Sequence, residues 1–146
     1  MLSVRKGQEE DLAATFELVM ELARYEKGED QVINTLELMK SDFSKGVFDF
    51  FVVEEGNQVI GSAVYYYRYS TWKAKRIYLE DLIVTQAHRG KGAGEMLLQA
   101  VMAEGQAKQC SGMMWQVLDW NEPAIEFYRK MGASFDGEWL NCHLDF

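Results

Sequence analysis

The chain has 146 residues, of which 48% are apolar and 26% charged, and its formal net charge is −8. This composition is typical of a globular protein, and we expect one domain over residues 1–146 with no nucleic-acid partner, because the average surface repels polyanions. Two cysteines without a histidine cluster predict neither a disulfide framework nor a metal site. No run reaches the roughly 20 apolar residues of a membrane span, so we expect a cytoplasmic protein that does not contact a membrane.

The first half of the chain predicts a strand, two helices and a hairpin. LSVRK is short and predicts an edge strand, and the acidic run QEED starts a helix that ends near residues 25–28. Asn34 followed by Glu37 has the capping-box spacing and predicts a second helix. VFDFFVVEE and QVIGSAVYYYRY are rich in β-branched and aromatic residues and flank Gly56-Asn57, which predicts an antiparallel hairpin.

The second half predicts strands that alternate with helices. RIYLEDLIV and GMMWQVL are apolar on both faces and predict central strands, with the helix EMLLQAVMAEGQAK between them. Asn121 and Pro123 predict the start of another helix, which Gly132 ends, and the alternating tail WLNCHLDF predicts a final strand. The order β-α-α-β-β-β-α-β-α-β-β predicts an α/β (α+β) domain, with a mixed, mostly antiparallel central sheet and helices on both faces.

A glycine-rich run is the most specific feature of the sequence. Gly90, Gly92 and Gly94 lie between a predicted strand and a predicted helix, with Lys91 between the first two. Closely spaced glycines let backbone N–H groups converge, and the helix N-terminus adds partial positive charge, which favours a pyrophosphate site. A Walker loop would need Ser or Thr after Gly-Lys, and a Rossmann fingerprint would need GxGxxG after the first strand. A glycine-rich turn without a ligand remains the alternative.

Longer motifs resemble a known family. Arg89-x-x-Gly92-x-Gly94, after a strand that ends in LIV, resembles the acetyl-CoA loop of the GNAT superfamily of N-acetyltransferases, and the element order resembles that fold. RYEK at 24–27, YYYRYSTWK at 65–73, YLED at 78–81 and DWNEP with FY at 119–128 resemble the diamine (spermidine/spermine) and thialysine N-acetyltransferases within it.

The resemblance implies where acetyl-CoA and an amine would bind. The backbone of the strand end would pair with the pantetheine arm, the glycine-rich run would bind the diphosphate, and the segment before the last helix would border the acetyl group. The residues expected to bind acetyl-CoA are Leu82, Ile83, Val84, Arg89, Gly90, Lys91, Gly92, Ala93, Gly94, Glu95, Asn121, Glu122, Pro123 and Ala124. The residues expected to bind the amine are Tyr25, Glu26, Glu80, Met114, Trp115 and Gln116.

Two residues are expected to be catalytic. An alkyl amine has a pKa of roughly 10.4, so removing its proton at pH 7 costs about 4–5 kcal/mol. Glu80 suits a carboxylate that holds the ammonium and accepts its proton directly or through water, although an ion pair with a nearby base is the alternative. Tyr128 resembles the family's general acid for the leaving thiolate, whereas periodicity alone predicts a core aromatic. Asp81 is expected to point to the opposite face from Glu80, unless a bulge intervenes.

The leading functional prediction is direct transfer of an acetyl group from acetyl-CoA to the primary amine of a polyamine, a diamine or a thialysine-like amino acid. The alternatives are a non-catalytic acyl-CoA sensor and an enzyme that acetylates peptides or proteins. The resemblance also implies a homodimer.

Overall fold

The computed structural model describes all 146 residues, which divide into two compact units, residues 1–116 and 117–146. The first unit contains a five-stranded sheet and three α-helices, and the second contains one α-helix. The strands are β1 (Leu2–Lys6), β2 (Asp49–Glu55), β3 (Gln58–Ser70), β4 (Ala74–Val84) and β5 (Met113–Trp115). The helices are α1 (Leu12–Tyr25), α2 (Leu36–Ser44), α3 (Ala93–Ala107) and α4 (Glu122–Lys130).

The sheet has the order β1-β2-β3-β4-β5, and only the β4–β5 pair is parallel. This mixed, mostly antiparallel arrangement confirms the predicted fold class, with β1 at an edge and β4 inside the sheet. The prediction of a second central strand was wrong, because β5 has three residues and pairs with β4 alone. Its apolar side chains are only partly covered, and Met114 is 38% exposed.

Helices cover both faces of the sheet. On one face, Leu12 of α1 and Met39 of α2 pack with Phe50, Val52 and Val64 of the strands in a cluster of buried side chains. On the other face, α3 approaches β4 so closely that a Cβ on Gly105 would lie 2.8 Å from a methyl carbon of Ile77. The strands are therefore held between two apolar layers, which suits their β-branched and aromatic composition.

A β-bulge interrupts the pairing of β3 with β4. Val64 pairs with Asp81 and the next residue, Tyr65, pairs with Leu79, so Glu80 is an extra residue in β4. A bulge of this kind changes which face the neighbouring side chains occupy. The expectation that Asp81 points away from Glu80 was wrong for this reason, and both residues line one cavity on the face covered by α1 and α2.

The sequence predicted caps for two helices, and one of these caps lies one residue away from its predicted position. The side chain of Thr35 accepts a hydrogen bond of 3.1 Å from the backbone N–H of Leu38 and caps α2, whereas we expected the preceding Asn34 to do so. In the second unit, Asn121 caps α4 as expected, through a bond of 3.4 Å from the N–H of Ala124. None of the helices is long and apolar enough to cross a lipid bilayer.

The two strands expected after α4 are absent, which is a further correction. Residues 133–146 form no helix or strand, and Leu140, Leu144 and Phe146 are almost fully exposed. Alternating apolar residues describe one face of a strand, but a strand also needs a neighbour for its backbone hydrogen bonds. No segment of the chain supplies that neighbour.

Candidate active site

A cavity of about 350 Å³ opens between helices α1 and α2 and the sheet. Its walls are mostly apolar and its polar groups are mostly acidic, a combination typical of a site for a small cationic ligand. The lining residues are Phe16, Val19, Asn34, Met39, Asp42, Val47, Phe48, Val64, Tyr66, Glu80 and Asp81.

Glu80, the residue expected to be catalytic, lies at the bulge and is held by a tyrosine. The hydroxyl of Tyr66 donates a hydrogen bond of 3.0 Å to Oε1 of Glu80. The ring of Tyr66 packs against Tyr78 of the neighbouring strand, with centroids 5.2 Å apart. Burial and the adjacent Glu80 carboxylate both raise the pKa of the Tyr66 hydroxyl, which keeps it a proton donor. The sequence places Tyr66 in the motif YYYRYSTWK but does not indicate its contact with Glu80.

Asp81 places a second carboxyl group in the same cavity. Its side chain makes no hydrogen bond or ion pair within the chain. Burial, followed by the nearby charges of Glu80 and Glu26, raises the pKa of Asp81 to about 7. The site therefore contains a carboxyl group that exchanges a proton near neutrality, beside one that accepts a hydrogen bond from Tyr66.

The end of α1 contributes two of the residues expected to bind the amine. Glu26 follows the last turn of α1, and burial raises its pKa. Its charge acts on Asp81, so the structure brings Glu26 close to the carboxyl pair. Tyr25 is 41% exposed and its ring lies 5.8 Å from the guanidinium carbon of Arg89, so it is associated with the glycine-rich run.

The remaining residues expected to bind the amine lie on and after β5. Met114 accepts a hydrogen bond of 2.9 Å at its sulfur from Arg68, and Trp115 pairs with Leu79 of β4. Neither these two nor Gln116 lines the cavity that contains Glu80. Their proposed contact with the amine stays a prediction.

β4 has a side without a strand partner directly after the bulge. β5 pairs with β4 only at residues 77–79, so residues 81–84 are paired with β3 alone and the bulged Glu80 has no strand partner. The carbonyl of Val84 accepts a hydrogen bond of 2.9 Å from Nε of Arg89. An extended ligand chain could add to the sheet along residues 82–84, as peptides add to other sheet edges.

The glycine-rich run directs its amides toward one place at the start of α3. Gly90 and Gly92 have φ angles of 82° and 89°, which favour glycine, and a Cβ on either would contact nothing within 4 Å. The backbone N–H groups of residues 90–95 donate no hydrogen bond within the chain. Together with the N-terminus of α3 they fit a diphosphate.

Two carboxylates hold the basic side chains of this segment. Nζ of Lys91 and Nδ1 of His88 lie 3.0 and 2.9 Å from Oε1 of Glu55 at the end of β2. Arg89 lies 3.7 Å from Glu21 of α1. The contacts with Lys91 and His88 lower the pKa of Glu55. A phosphate ligand would compete with both carboxylates for these side chains.

The other expected residues belong to the second unit. Asn121 is the cap of α4, and Glu122, Pro123 and Ala124 form its first turn. Tyr128 is 8% exposed and packs edge-to-face on Phe127, with centroids 5.4 Å apart. The expected roles of these residues in catalysis and in acetyl-CoA binding stay predictions.

Comparisons with known proteins find a matching family model and several similar proteins. The family model described as the Acetyltransferase (GNAT) family matches residues 12–133. The chain is 37% identical over 140 residues to the thialysine N-epsilon-acetyltransferase of Bos taurus, covering 89% of this chain and 82% of that protein. It is 30% identical over 139 residues to the spermidine/spermine N(1)-acetyltransferase-like protein 1 of Homo sapiens, covering 89% of this chain and 20% of that protein.

Among solved structures, the fold is similar to an aminoglycoside acetyltransferase from an uncultured soil metagenomic sample, crystallised with trehalose. The TM-score is 0.82 at 18% identity, and the match covers 99% of this chain and 96% of that one. This likeness concerns the fold alone.

Proposed function

The chain belongs to the acetyltransferase (GNAT) family and is an acetyl-CoA-dependent N-acetyltransferase for a small amine, and we propose that its acceptor is a polyamine, a diamine or a thialysine-like amino acid. The observation that carries the proposal is the pair of carboxyl groups, Glu80 and Asp81, that the β4 bulge places in one cavity. Such a pair attracts an ammonium group and offers an acceptor for its proton.

The residues present fit acetyl-CoA. The amides of residues 90–95 and the N-terminus of α3 would hold the diphosphate. Arg89 would leave its ion pair with Glu21, and Lys91 its ion pair with Glu55, to bind phosphate oxygens instead. The free side of β4 at residues 82–84 would pair with the amide groups of the pantetheine arm. Acetyl-CoA, when bound, would supply the acetyl group as a thioester.

The carboxyl groups would bind the ammonium and take up its proton. Glu80 accepts the hydrogen bond of Tyr66, which orients its carboxylate toward the cavity. Asp81, with a pKa of about 7, can accept a proton at neutral pH and release it to solvent. The neutral amine that results is the nucleophile, and forming it at pH 7 costs about 4–5 kcal/mol. The two carboxyl groups give the released proton an acceptor inside the cavity.

Further parts of the proposal depend on the sequence resemblance. Tyr128 is proposed as the acid that protonates the leaving thiolate, and Asn121, Glu122, Pro123 and Ala124 as residues that border the acetyl end of acetyl-CoA. A homodimer and a cytoplasmic location are proposed on the same grounds. Each of these can be tested separately from the chemistry of the carboxyl pair.

The test is a panel of amines mixed with the protein and acetyl-CoA, with free thiol release as the readout. Spermidine, putrescine, thialysine and lysine are compared side by side at equal concentration. We expect thiol release with at least one of them and no release without an amine. Tight binding of acetyl-CoA with no release for any amine would favour the sensor, and release only with peptides would favour a peptide or protein acetyltransferase.

A further inference from the structure

Helix α2 contributes a carboxylate to the cavity from a different side than the sheet does. Asp42 lies in the last turn of α2 and lines the cavity that also contains Glu80 and Asp81. Its side chain makes no hydrogen bond and no ion pair within the chain. Glu80 and Asp81 lie on β4, so the carboxyl groups that line this cavity come from two separate elements, a helix and a strand.

Nothing in the packing of α2 accounts for an acid at this position. The C-terminus of a helix carries partial negative charge, so a carboxylate in the last turn is unfavourable unless a cation compensates it. The last turn of α2 contains no basic residue, and Lys45, the C-cap that follows it, forms no ion pair with Asp42. Asp42 is half-buried, which makes an unpaired charge more costly than on an open surface. Its presence there is better explained by a cationic ligand than by stability.

Apart from the carboxyl groups, Asn34 and Tyr66, the lining of the cavity is apolar. Phe16 and Val19 of α1, Met39 of α2 and Phe48 surround the space. A chain of methylene groups would bury apolar surface against these side chains, and an ammonium at each end would meet a carboxylate. None of the lining residues is a lysine or arginine, so a substrate carboxylate would find only like charge.

We propose that Asp42 is a specificity-determining residue, which binds the second, non-reacting ammonium of a diamine and disfavours acceptors that carry a carboxylate. This inference rests on the proposed function, because Glu80 and Asp81 are taken to hold the reacting ammonium. It separates diamines from amino-acid acceptors within the class proposed above.

Three matched amines test the proposal on the wild-type enzyme. Cadaverine has two ammonium groups, lysine has the same chain with an added carboxylate, and pentylamine has one ammonium group. We expect kcat/KM to be highest for cadaverine, by about tenfold over each of the others, since a charge-assisted hydrogen bond contributes about this much. A preference for lysine over cadaverine, or equal use of pentylamine and cadaverine, would overturn the proposal. This comparison needs no variant.

The Asp42→Asn variant then tests whether Asp42 causes the preference for cadaverine. The variant should lose about tenfold in kcat/KM for cadaverine and stay within about twofold of wild type for pentylamine. Glu37→Gln is the control, because it removes the same charge from an exposed position of α2 outside the cavity. Equal losses for all three amines would assign Asp42 a structural role and overturn the proposal, as would no loss at all.

Folding and the proposed function are checked separately. The melting temperature of Asp42→Asn should equal or exceed that of wild type, since an unpaired charge at a helix C-terminus is removed. If that variant fails to fold, Asp42→Ser and the wild-type comparison provide the same distinction. If wild type acetylates no amine in either panel, the proposed function itself fails, which differs from a failure of selectivity.

Discussion

The hydroxyl of Tyr66 lies 3.0 Å from a carboxylate oxygen of Glu80, across the bulge that separates Val64–Asp81 pairing from Tyr65–Leu79 pairing. The contact joins Glu80, which was expected to be catalytic, to a tyrosine of the YYYRYSTWK motif that was not expected to take part in the site. The bulge and this contact involve the same residue, because Glu80 is the extra residue of β4 and its carboxylate accepts the hydrogen bond of Tyr66.

Removing this hydroxyl should reduce amine use without affecting acetyl-CoA. Tyr66→Phe deletes one charge-assisted hydrogen bond to Glu80, and we expect kcat/KM for the amine to fall about tenfold while the Kd for acetyl-CoA stays the same. Steady-state kinetics and calorimetric titration measure the two quantities. Tyr67→Phe is the matched control, since its hydroxyl bonds instead to Glu104 of α3.

A double-mutant cycle decides whether the tyrosine acts through Glu80. Glu80→Gln should lower amine kcat/KM more than it weakens acetyl-CoA binding, and the double variant should lose little beyond that single loss. Additive losses would mean that Tyr66 acts independently of Glu80. Equal losses of amine use and acetyl-CoA binding in Glu80→Gln would assign the carboxylate a structural role.

The raised pKa of Asp81 predicts a pH-dependent cost to folding. The pKa rises from the ordinary 3.8 to about 7 in the folded chain, so the folded state binds more protons than the unfolded state between these values. The contribution of Asp81 to the free energy of unfolding therefore decreases as the pH rises from about 4 to 7, and it is constant above pH 7. Between pH 5 and 8, wild type should lose about 2–3 kcal/mol relative to Asp81→Asn.

Urea unfolding of both proteins at pH 5, 6, 7 and 8 measures this difference. The Asp81→Asn variant lacks the titrating group but keeps the shape and the polar character of the side chain. Parallel curves for the two proteins across the range would show that Asp81 does not hold a proton in the folded state.

The left-handed conformation of Gly92 predicts a test of the diphosphate loop. At a φ of 89° a side chain is strained by about 1–2 kcal/mol, so Gly92→Ala should move the loop and raise the Kd for acetyl-CoA about tenfold. Gly46→Ala introduces comparable strain at a φ of 75°, outside the loop. An unchanged Kd in Gly92→Ala, or an equal change in both variants, would contradict the assignment of the loop.

Tyr128→Phe tests the acid that the sequence resemblance proposes. We expect turnover to fall by about 100-fold, in the range typical of a lost general acid, while acetyl-CoA affinity stays close to wild type. The burial of Tyr128 beside Phe127 means that the variant keeps most of its packing. Unchanged kcat in the variant would remove this tyrosine from the mechanism.

Local sequence signals predicted most of the architecture. The first nine strands and helices occur in the expected order, because periodicity, turn glycines and caps such as Asn121 act within a few residues. The positive φ angles of Gly90 and Gly92 likewise follow from the close spacing of glycines between a strand and a helix. Each of these features depends on neighbours in the sequence.

Apart from the α2 cap, which lies one residue later than expected at Thr35, the errors concern contacts between distant segments. Asp81 faces the cavity because β3 and β4 shift register by one residue, and alternation within β4 alone contains no sign of that shift. Asp42 enters the cavity through the packing of α2 on the sheet, which α2 alone does not indicate. The tail after Gly132 alternates like a strand, but strand formation depends on a partner that periodicity does not identify.

The bulged residue of β4 contributes to the proposed site but not to the pairing of β3 with β4. If Glu80 were deleted, Leu79 and Asp81 would be adjacent in the sequence. All observed residue pairs between β3 and β4 would be preserved, and their pairing would then run without a bulge. Such a shortened chain would lack both the Glu80 carboxylate and the irregularity that brings Asp81 into the cavity. Under the proposed mechanism, a one-residue gap at this position in a homologous sequence would mark a protein that keeps the strand pairing but lacks the carboxyl pair.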